Sequence, residues 1–172
     1  SASKRFTSTE ELEIGDVAGQ LDSIEIPDTS PLKKDTLVHG SGYVIQSNTE
    51  WVIGSTYEQK PWSSAAASEF NIEKNRKFLG NSTVHLRGNF RAHRCVSSDR
   101  EPVIGELKTG QYFSTGHGSM GTISSPFAAE LVVSQFMGLL PPLSKSGLAT
   151  VAPDRFRNRQ KKRGVKRIGD SS

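Results

Sequence analysis

The sequence predicts an α+β fold with a mostly antiparallel sheet, on three observations. Residues 43–46 (YVIQ) and 51–57 (WVIGSTY) are two arms of β-branched and aromatic residues joined by a polar turn at 47–50, which is a hairpin pattern. Residues 19–27 alternate apolar and polar side chains, the two-residue period of a half-buried strand, and stop at Pro27. Helical spacing is concentrated in two stretches, 63–79 and the residues after Ser124. Strands therefore stand before and after one helix instead of alternating with helices as in a parallel sheet.

Taken in order, residues 1–15 carry charge without periodicity and read as a loose lead-in. The strand at 19–27 follows, then a turn-like run at 28–35, and Gly40-Ser41-Gly42 leads into the hairpin. Over 63–79, Phe70, Ile72 and Phe78 are the apolar anchors of a helix that Gly80-Asn81 stops. Residues 84–96 read as one long strand with Gly88 as a bulge or bend. The chain turns from Asp99 and re-enters a strand at Val103-Ile104, and Tyr112, Phe113 and Thr115 suit a second, buried strand. Ser124-Ser125-Pro126 reads as a helix start, with serine to cap and proline in a first turn whose N–H groups are unpaired anyway. Ala128, Leu131, Val132, Gln135 and Phe136 then form its stripe, apolar except at Gln135. A proline loop at 140–145, a short helix at 153–156 and a basic tail end the chain, and there is no internal repeat.

The stretch that organises the rest lies between the last strand and that helix: Gly116-His117-Gly118-Ser119-Met120-Gly121. Glycines let a ligand approach the main chain, and a helix N-terminus offers unpaired N–H groups with partial positive charge. The spacing G-x-G-x-x-G is that of the dinucleotide fingerprint. The context differs, because a Rossmann unit needs a further strand and an acid about 20 residues on, whereas Leu140-Pro141-Pro142 follows here. A nucleophile elbow is excluded too, since His117 stands where Ser119 would need glycine. A ligand-free strand-to-helix connection is the plain alternative.

The 172 residues suffice for one domain with a core and are short for two. Apolar content of 34% is low for a self-sufficient globule, and adding the 16 glycines brings the chain only to the edge of the usual range. No stretch is apolar enough to span a membrane, and one cysteine, Cys95, excludes an internal disulfide and fits a reducing cytoplasm. The four histidines and Cys95 lack zinc spacing, so no metal is expected. Residues 155–172 hold eight basic side chains against one acid, a net +7, which leaves −3 for the preceding residues out of the chain's +4. Basic residues in such a run suit phosphate contact; a solvated tail is the alternative. Arg94, late in a strand, has the planar fork that clamps a carboxylate, or else it faces solvent or pairs with Asp99. Tyr43 at the head of the hairpin can offer a hydroxyl to a ligand or be packed.

Together these pieces resemble the C-terminal half of the FAD-dependent D-amino-acid-oxidase-like family. The resemblance rests on Arg94, on DREPVIG at 99–105, on YFSTGHGSMG at 112–121, and on Ser125-Pro126 with the helix that follows. The hairpin at 43–56 is similar to that family's sheet over the substrate, and Gly19-Gln20-Leu21 to its R-G-Q-[VL] segment, with Ala18 in place of the arginine. Leu140 to Leu148, PDRF at 153–156, the basic tail and Cys95 after Arg94 are similar to the tRNA-modifying branch of the family. The similarity covers about residues 17–163.

That resemblance implies oxidation of a carboxymethylaminomethyl group on a wobble uridine of tRNA, with FAD as cofactor. It implies that Gly116, Gly118, Ser119, Met120, Gly121 and Thr122 meet the cofactor, with backbone N–H groups of 118–122 against the flavin pyrimidine edge. It makes Arg94 the substrate-carboxylate residue, and Tyr43, from its place at the head of the hairpin, is the other candidate for substrate contact. Met120 stands where the branch has arginine. The implied organisation is a loose lead-in at 1–16, a substrate-side sheet with one helix at 17–97, the C-terminal part of an FAD-binding domain at 98–154 and a basic tail at 155–172. On this reading the N-terminal Rossmann half, which holds the FAD diphosphate, and the branch's methyltransferase domain are missing, so the chain alone is expected neither to turn over nor to retain FAD. Residues 155–167 are the expected contact with tRNA. A non-catalytic RNA-binding module and a small-molecule amine or amino-acid oxidase fragment are the competing readings.

Overall fold

In the computed structural model the hairpin consists of β3 (Tyr43–Ser47) and β4 (Glu50–Gly54), antiparallel from Tyr43↔Gly54 to Ser47↔Glu50. The structure describes residues 6, 9–25, 32, 37–47, 50–81 and 83–164, so the turn read at 28–35 lies outside the described residues except for Leu32. The fold is α+β. One sheet has the order β2-β3-β4-β1-β5, with β1 Ile14–Glu25, β2 Leu37–His39 and β5 His85–Ser97. Its β2–β3, β3–β4 and β4–β1 ladders are antiparallel. A second, two-stranded sheet pairs β6 (Val103–Lys108) with β7 (Gln111–Thr115), also antiparallel. The chain divides into two compact units, one of Ser1–Asp16 with Arg94–Ser172, the other of Val17–His93.

In the Val17–His93 unit, alternation along the strands sends Ile24, Val44 and Ile53 to one face, where they meet Leu79. The helix over that sheet is α1 (Ser64–Lys74), capped by Ser63 Oγ, which accepts from the Ala66 N–H at 3.2 Å. The single helix expected over 63–79 is in fact two. Asn75 breaks it by folding its side-chain amide back onto the Asn71 carbonyl (2.8 Å), and α2 (Arg76–Leu79) follows.

The anchors also need correcting. Ile72 and Phe78 do pack against the core, but Phe70 is 41% exposed and stacks edge-on against Trp62. The buried residues of α1 are the small Ala67 and the polar Ser68 and Asn71 instead. Beneath it the buried Asp22 carboxylate accepts from Gln20 Nε2 (2.8 Å), Ser68 Oγ (2.6 Å) and Asn71 Nδ2 (2.7 Å). The Asp22 carboxylate is tolerable at this depth because three donors meet it, whereas Asn71 Oδ1 and Asn75 Oδ1 beside it are buried without a partner. Gln20 Oε1 in turn accepts from Arg91, whose other terminal nitrogen is ion-paired at 2.6 Å with the buried Glu58.

In the other unit, Val103 and Ile104 are successive residues of β6 and point to opposite sides. Val103 joins Leu12, Ile14 and Phe156; Ile104 joins Ala128, Leu131 and Val151. Residues 12 and 14 are thus core, not the loose lead-in expected of 1–15. Three helices complete the unit: α3 (Gly121–Met137), α4 (Lys145–Val151) and α5 (Arg155–Lys162). The stripe read on α3 is inward at Ala128 and Leu131, but Phe136 is 70% exposed and meets Tyr112 edge-on. Among the described residues no helix is long and apolar enough to cross a membrane.

The residues that start the basic tail are structural here. Phe156 is fully buried with the Arg155 guanidinium over its ring, and Arg155 forks onto Asp99 at 2.9 and 3.0 Å while also donating to the Val151, Ala152 and Glu101 carbonyls. Arg159 reaches the same Asp99 and also Glu13. Burial would raise the Asp99 carboxyl, but hydrogen bonds from Arg155, Arg159 and Ser97 outweigh it and hold the group well below the usual carboxylate range.

A depressed folded pKa means that the stabilisation is complete above the unfolded value of about 4 and is lost as the pH falls from there toward the folded value. Asp99→Asn should therefore destabilise the protein by roughly 3 kcal/mol at pH 7, the low end of what breaking a buried pair costs. It should also flatten the stability profile below about pH 4. Urea midpoints of both proteins at pH 7, 4 and 3 check this. Equal pH profiles would contradict it.

Candidate cofactor turn and substrate-side residues

The turn between β7 and α3 reverses the chain in five residues, and glycine conformations make that possible. Gly116 (φ +73°) and Gly118 (φ +57°) are both in the left-handed region, where a side chain costs about 1–2 kcal/mol. A Cβ at Gly118 would also lie 3.2 Å from a Val96 methyl. Residues Gly118–Met120 form a 3₁₀ turn, closed by the Met120 N–H donating to the His117 carbonyl at 3.0 Å, and it runs directly into α3.

The helix thus begins at Gly121, three residues before the serine expected to cap it. Ser124 Oγ instead donates back to the Met120 carbonyl at 2.9 Å, and Pro126 lies within the helix. No side chain caps the start of α3. Apart from the Met120 N–H, which closes the 3₁₀ turn, the amides around this start meet no side-chain acceptor, and they are flanked by the exposed Ser119, Met120 and Thr122. Gly116, Gly118, Ser119, Met120, Gly121 and Thr122 are thus brought together at one strand-to-helix junction. An open approach, left-handed glycines and uncapped amides fit the electron-rich edge of a flavin.

His117 holds the turn from within. Its Nε2 is 3.0 Å from Ser114 Oγ on β7 and its Nδ1 is 2.7 Å from Ser124 Oγ on α3. Burial pushes its pKa below the ordinary histidine value. Its backbone bridges Val96 of β5. Arg94 stands two residues before Val96 on the same strand, hence on the same strand face, and is half-buried. Arg94 and the glycine turn belong to one unit; Tyr43 belongs to the other. Tyr43 is half-buried opposite Gly54, where a Cβ would come within 3.0 Å of its hydroxyl and 2.5 Å of a Leu21 methyl, so the tyrosine is seated over a glycine. Among the described residues no group of three His, Cys, Asp or Glu side chains is placed to hold a metal.

Three features escaped the sequence reading. The His117 contacts with Ser114 and Ser124 have spacings of three and seven, which span a turn and carry no periodic signal. The Asp99–Arg155 pair joins residues 56 apart. The carboxylates of Asp22 and Glu58 are buried in polar surroundings that hydrophobic periodicity does not register.

A model of the FAD dependent oxidoreductase family matches residues 12–135. Among curated proteins, the tRNA 5-methylaminomethyl-2-thiouridine biosynthesis bifunctional protein MnmC of Maricaulis maris is 29% identical over 115 residues, covering 65% of this chain and 20% of the relative. The protein of that name from Idiomarina loihiensis is 26% identical over 159 residues, covering 87% of this chain and 26% of the relative. The chain thus spans about a quarter of the length of the curated relatives it matches. Among solved structures, an iminodiacetate oxidase from Chelativorans sp. BNC1 superposes with a TM-score of 0.65 at 18% identity, over 83% of this chain and 40% of that one.

Proposed function

The chain belongs to the FAD-dependent oxidoreductase family, and we propose that it is the substrate-side and flavin-edge portion of an oxidase that modifies tRNA. The substrate is a wobble uridine bearing a carboxymethylaminomethyl group. Two-electron oxidation of its N–CH2 bond to an imine, with FAD as the acceptor, and hydrolysis of that imine by water would release glyoxylate and leave the free aminomethyl group. The observation that carries the cofactor half of this reading is the junction of β7 and α3, whose uncapped amides follow two left-handed glycines. The similarity to the tRNA-modifying relatives supports the substrate half. When bound, FAD supplies the two-electron chemistry, and the residues of the chain bind and orient.

In this reading the N–H groups between Gly118 and Thr122, other than that of Met120, which closes the 3₁₀ turn, stabilise negative charge at the flavin edge, as donors fixed before the charge develops. Arg94 holds the substrate carboxylate. The diphosphate of FAD is held outside these residues, so the chain alone neither turns over nor keeps FAD through purification. The apolar outward residues of α3, Val133, Phe136 and Met137, and beyond it Leu139 and Leu140, which is 95% exposed, support a further layer of protein in the complete oxidase. The reading carries a cytoplasmic location, which suits a chain whose single cysteine is Cys95.

The partner is tRNA, and α5 divides its basic residues between two tasks. Arg155 and Arg159 hold Asp99. Arg157, Lys161 and Lys162 are exposed and form no ion pair among the described residues, which leaves them for phosphate. Replacing Arg157, Lys161 and Lys162 with glutamine should weaken tRNA binding and reduce the salt slope by roughly 0.9 for each phosphate that is no longer neutralised. The melting temperature should hold. An unchanged affinity and slope would remove α5 from the RNA interface.

Substrate and product differ by one carboxymethyl group, so a clamp on its carboxylate distinguishes them. A guanidinium makes two parallel hydrogen bonds there, which lysine cannot reproduce. In the complete oxidase, Arg94→Ala should lower turnover of the carboxylate-bearing uridine roughly ten- to hundredfold, for a loss of about 1.5–3 kcal/mol, and Arg94→Lys somewhat less. Flavin content and melting temperature should stay near wild type. Glyoxylate release at the wild-type rate would exclude the clamp; joint loss of stability and flavin would make Arg94 structural.

A further inference from the structure

The Ser114, His117 and Ser124 cluster is not used by the proposed activity, yet its hydrogens can be assigned. A hydroxyl has one hydrogen and a carbonyl only accepts. Ser124 gives its hydrogen to the Met120 carbonyl (2.9 Å), so toward His117 Nδ1 (2.7 Å) it must accept. The imidazole therefore carries its hydrogen on Nδ1. Burial lowers its pKa, which keeps the ring neutral at pH 7, so Nε2 has a lone pair and accepts from the Ser114 hydroxyl at 3.0 Å. The result is a directed chain: Ser114 O–H to Nε2, Nδ1–H to Ser124, Ser124 O–H to the Met120 carbonyl.

Its span gives this chain of bonds a role. Ser114 is the fourth residue of β7 and Ser124 the fourth of α3, so the ring ties together the two ends of the glycine turn. On its own the turn would be soft. Gly116 and Gly118 are conformationally permissive, the 3₁₀ segment is three residues long, and the helix start has no cap. Donors that meet developing charge are most effective when already oriented, so this is where a soft turn would cost most.

We propose that His117 is a positioning residue, held as the Nδ1–H tautomer between two hydroxyls, and that it fixes Gly118–Met120 and the first amides of α3 in their ligand-facing arrangement. This rests on the reading of the turn as the cofactor contact. Loss of either hydroxyl leaves one ring nitrogen unpaired and loosens the turn while the two hydrophobic clusters of the unit, which contain none of the three residues, stay intact.

The test has two readouts that need no cofactor. Nitrogen-15 NMR of the full chain at pH 7.5 should show the His117 ring protonated on Nδ1 and bare on Nε2. Ser124→Ala should move the hydrogen to Nε2 and speed exchange of the Met120 amide, which closes the turn on the His117 carbonyl, about fivefold, the scale of one net hydrogen bond. Ser124→Thr, which keeps the hydroxyl, should restore both. Ser114→Ala serves as a second variant if Ser124→Ala does not fold. A wild-type ring protonated on Nε2 overturns the proposal, as does a hydroxyl-deleted protein whose turn exchanges at the wild-type rate. Adding FAD to the wild-type chain separates this from the cofactor reading. If flavin leaves the turn amides untouched while the tautomer and exchange results hold, the cofactor reading fails and the positioning role stands.

Discussion

The chain must pass from β7 into α3 within five residues, and the left-handed conformations of Gly116 and Gly118 are what permit it. Everything at the candidate site depends on that reversal. It puts the 3₁₀ turn against Val96 of β5, lets α3 start without a side-chain cap, and leaves that start flanked by the exposed Ser119, Met120 and Thr122. A side chain at Gly118 would meet both a strained φ and a methyl group at 3.2 Å, so the position is constrained by conformation and by space together. The ring of His117 lies between the hydroxyls of Ser114 and Ser124 on either side of the turn and leaves the helix start uncapped.

A turn of this kind is only as well placed as the strands that carry it. β6 and β7 form a sheet of two strands, which is marginal in isolation. The alternation of Val103 and Ile104 anchors β6 into two apolar clusters on opposite sides. One is closed by Phe156 and the other by α3 and α4. Asp99, in the turn between β5 and β6, is gripped by Arg155 and Arg159 of α5, so the charge pair and Phe156 dock the same helix. Basic residues that count toward the net charge of the tail are thereby structural on one side of α5 and exposed on the other.

Much of this was legible in the sequence, for identifiable reasons. The hairpin at 43–54 was visible because Val44 and Ile53 are core residues in strands with clear β-branched content. The strand, glycine turn and helix were visible because glycine spacing and a following apolar stripe are local signals. What failed was non-local or polar. Helix α1 turns Ser68 and Asn71 inward onto Asp22, so a search for apolar anchors selected the exposed Phe70. The break at Asn75 comes from one side chain folding onto its own helix. Ser124-Ser125-Pro126 has the composition of a helix start, but the 3₁₀ turn before it supplies the first turn, and the serine serves the histidine instead. Leu12 and Ile14 carry no period, and they are buried because Phe156, more than 140 residues later, covers them.

The central claim is that the junction of β7 and α3 is where this chain meets flavin. Backbone amide shifts of the nitrogen-15-labelled chain, titrated with FAD and separately with riboflavin, test it directly. Riboflavin lacks the diphosphate, so it removes attraction of phosphate to the basic face of α5 as a cause. Both titrations should be weak, with their largest common shifts at Gly118 to Thr122. Shifts that appear only with FAD and only on α5, or no shift at those amides with either ligand, would contradict the account.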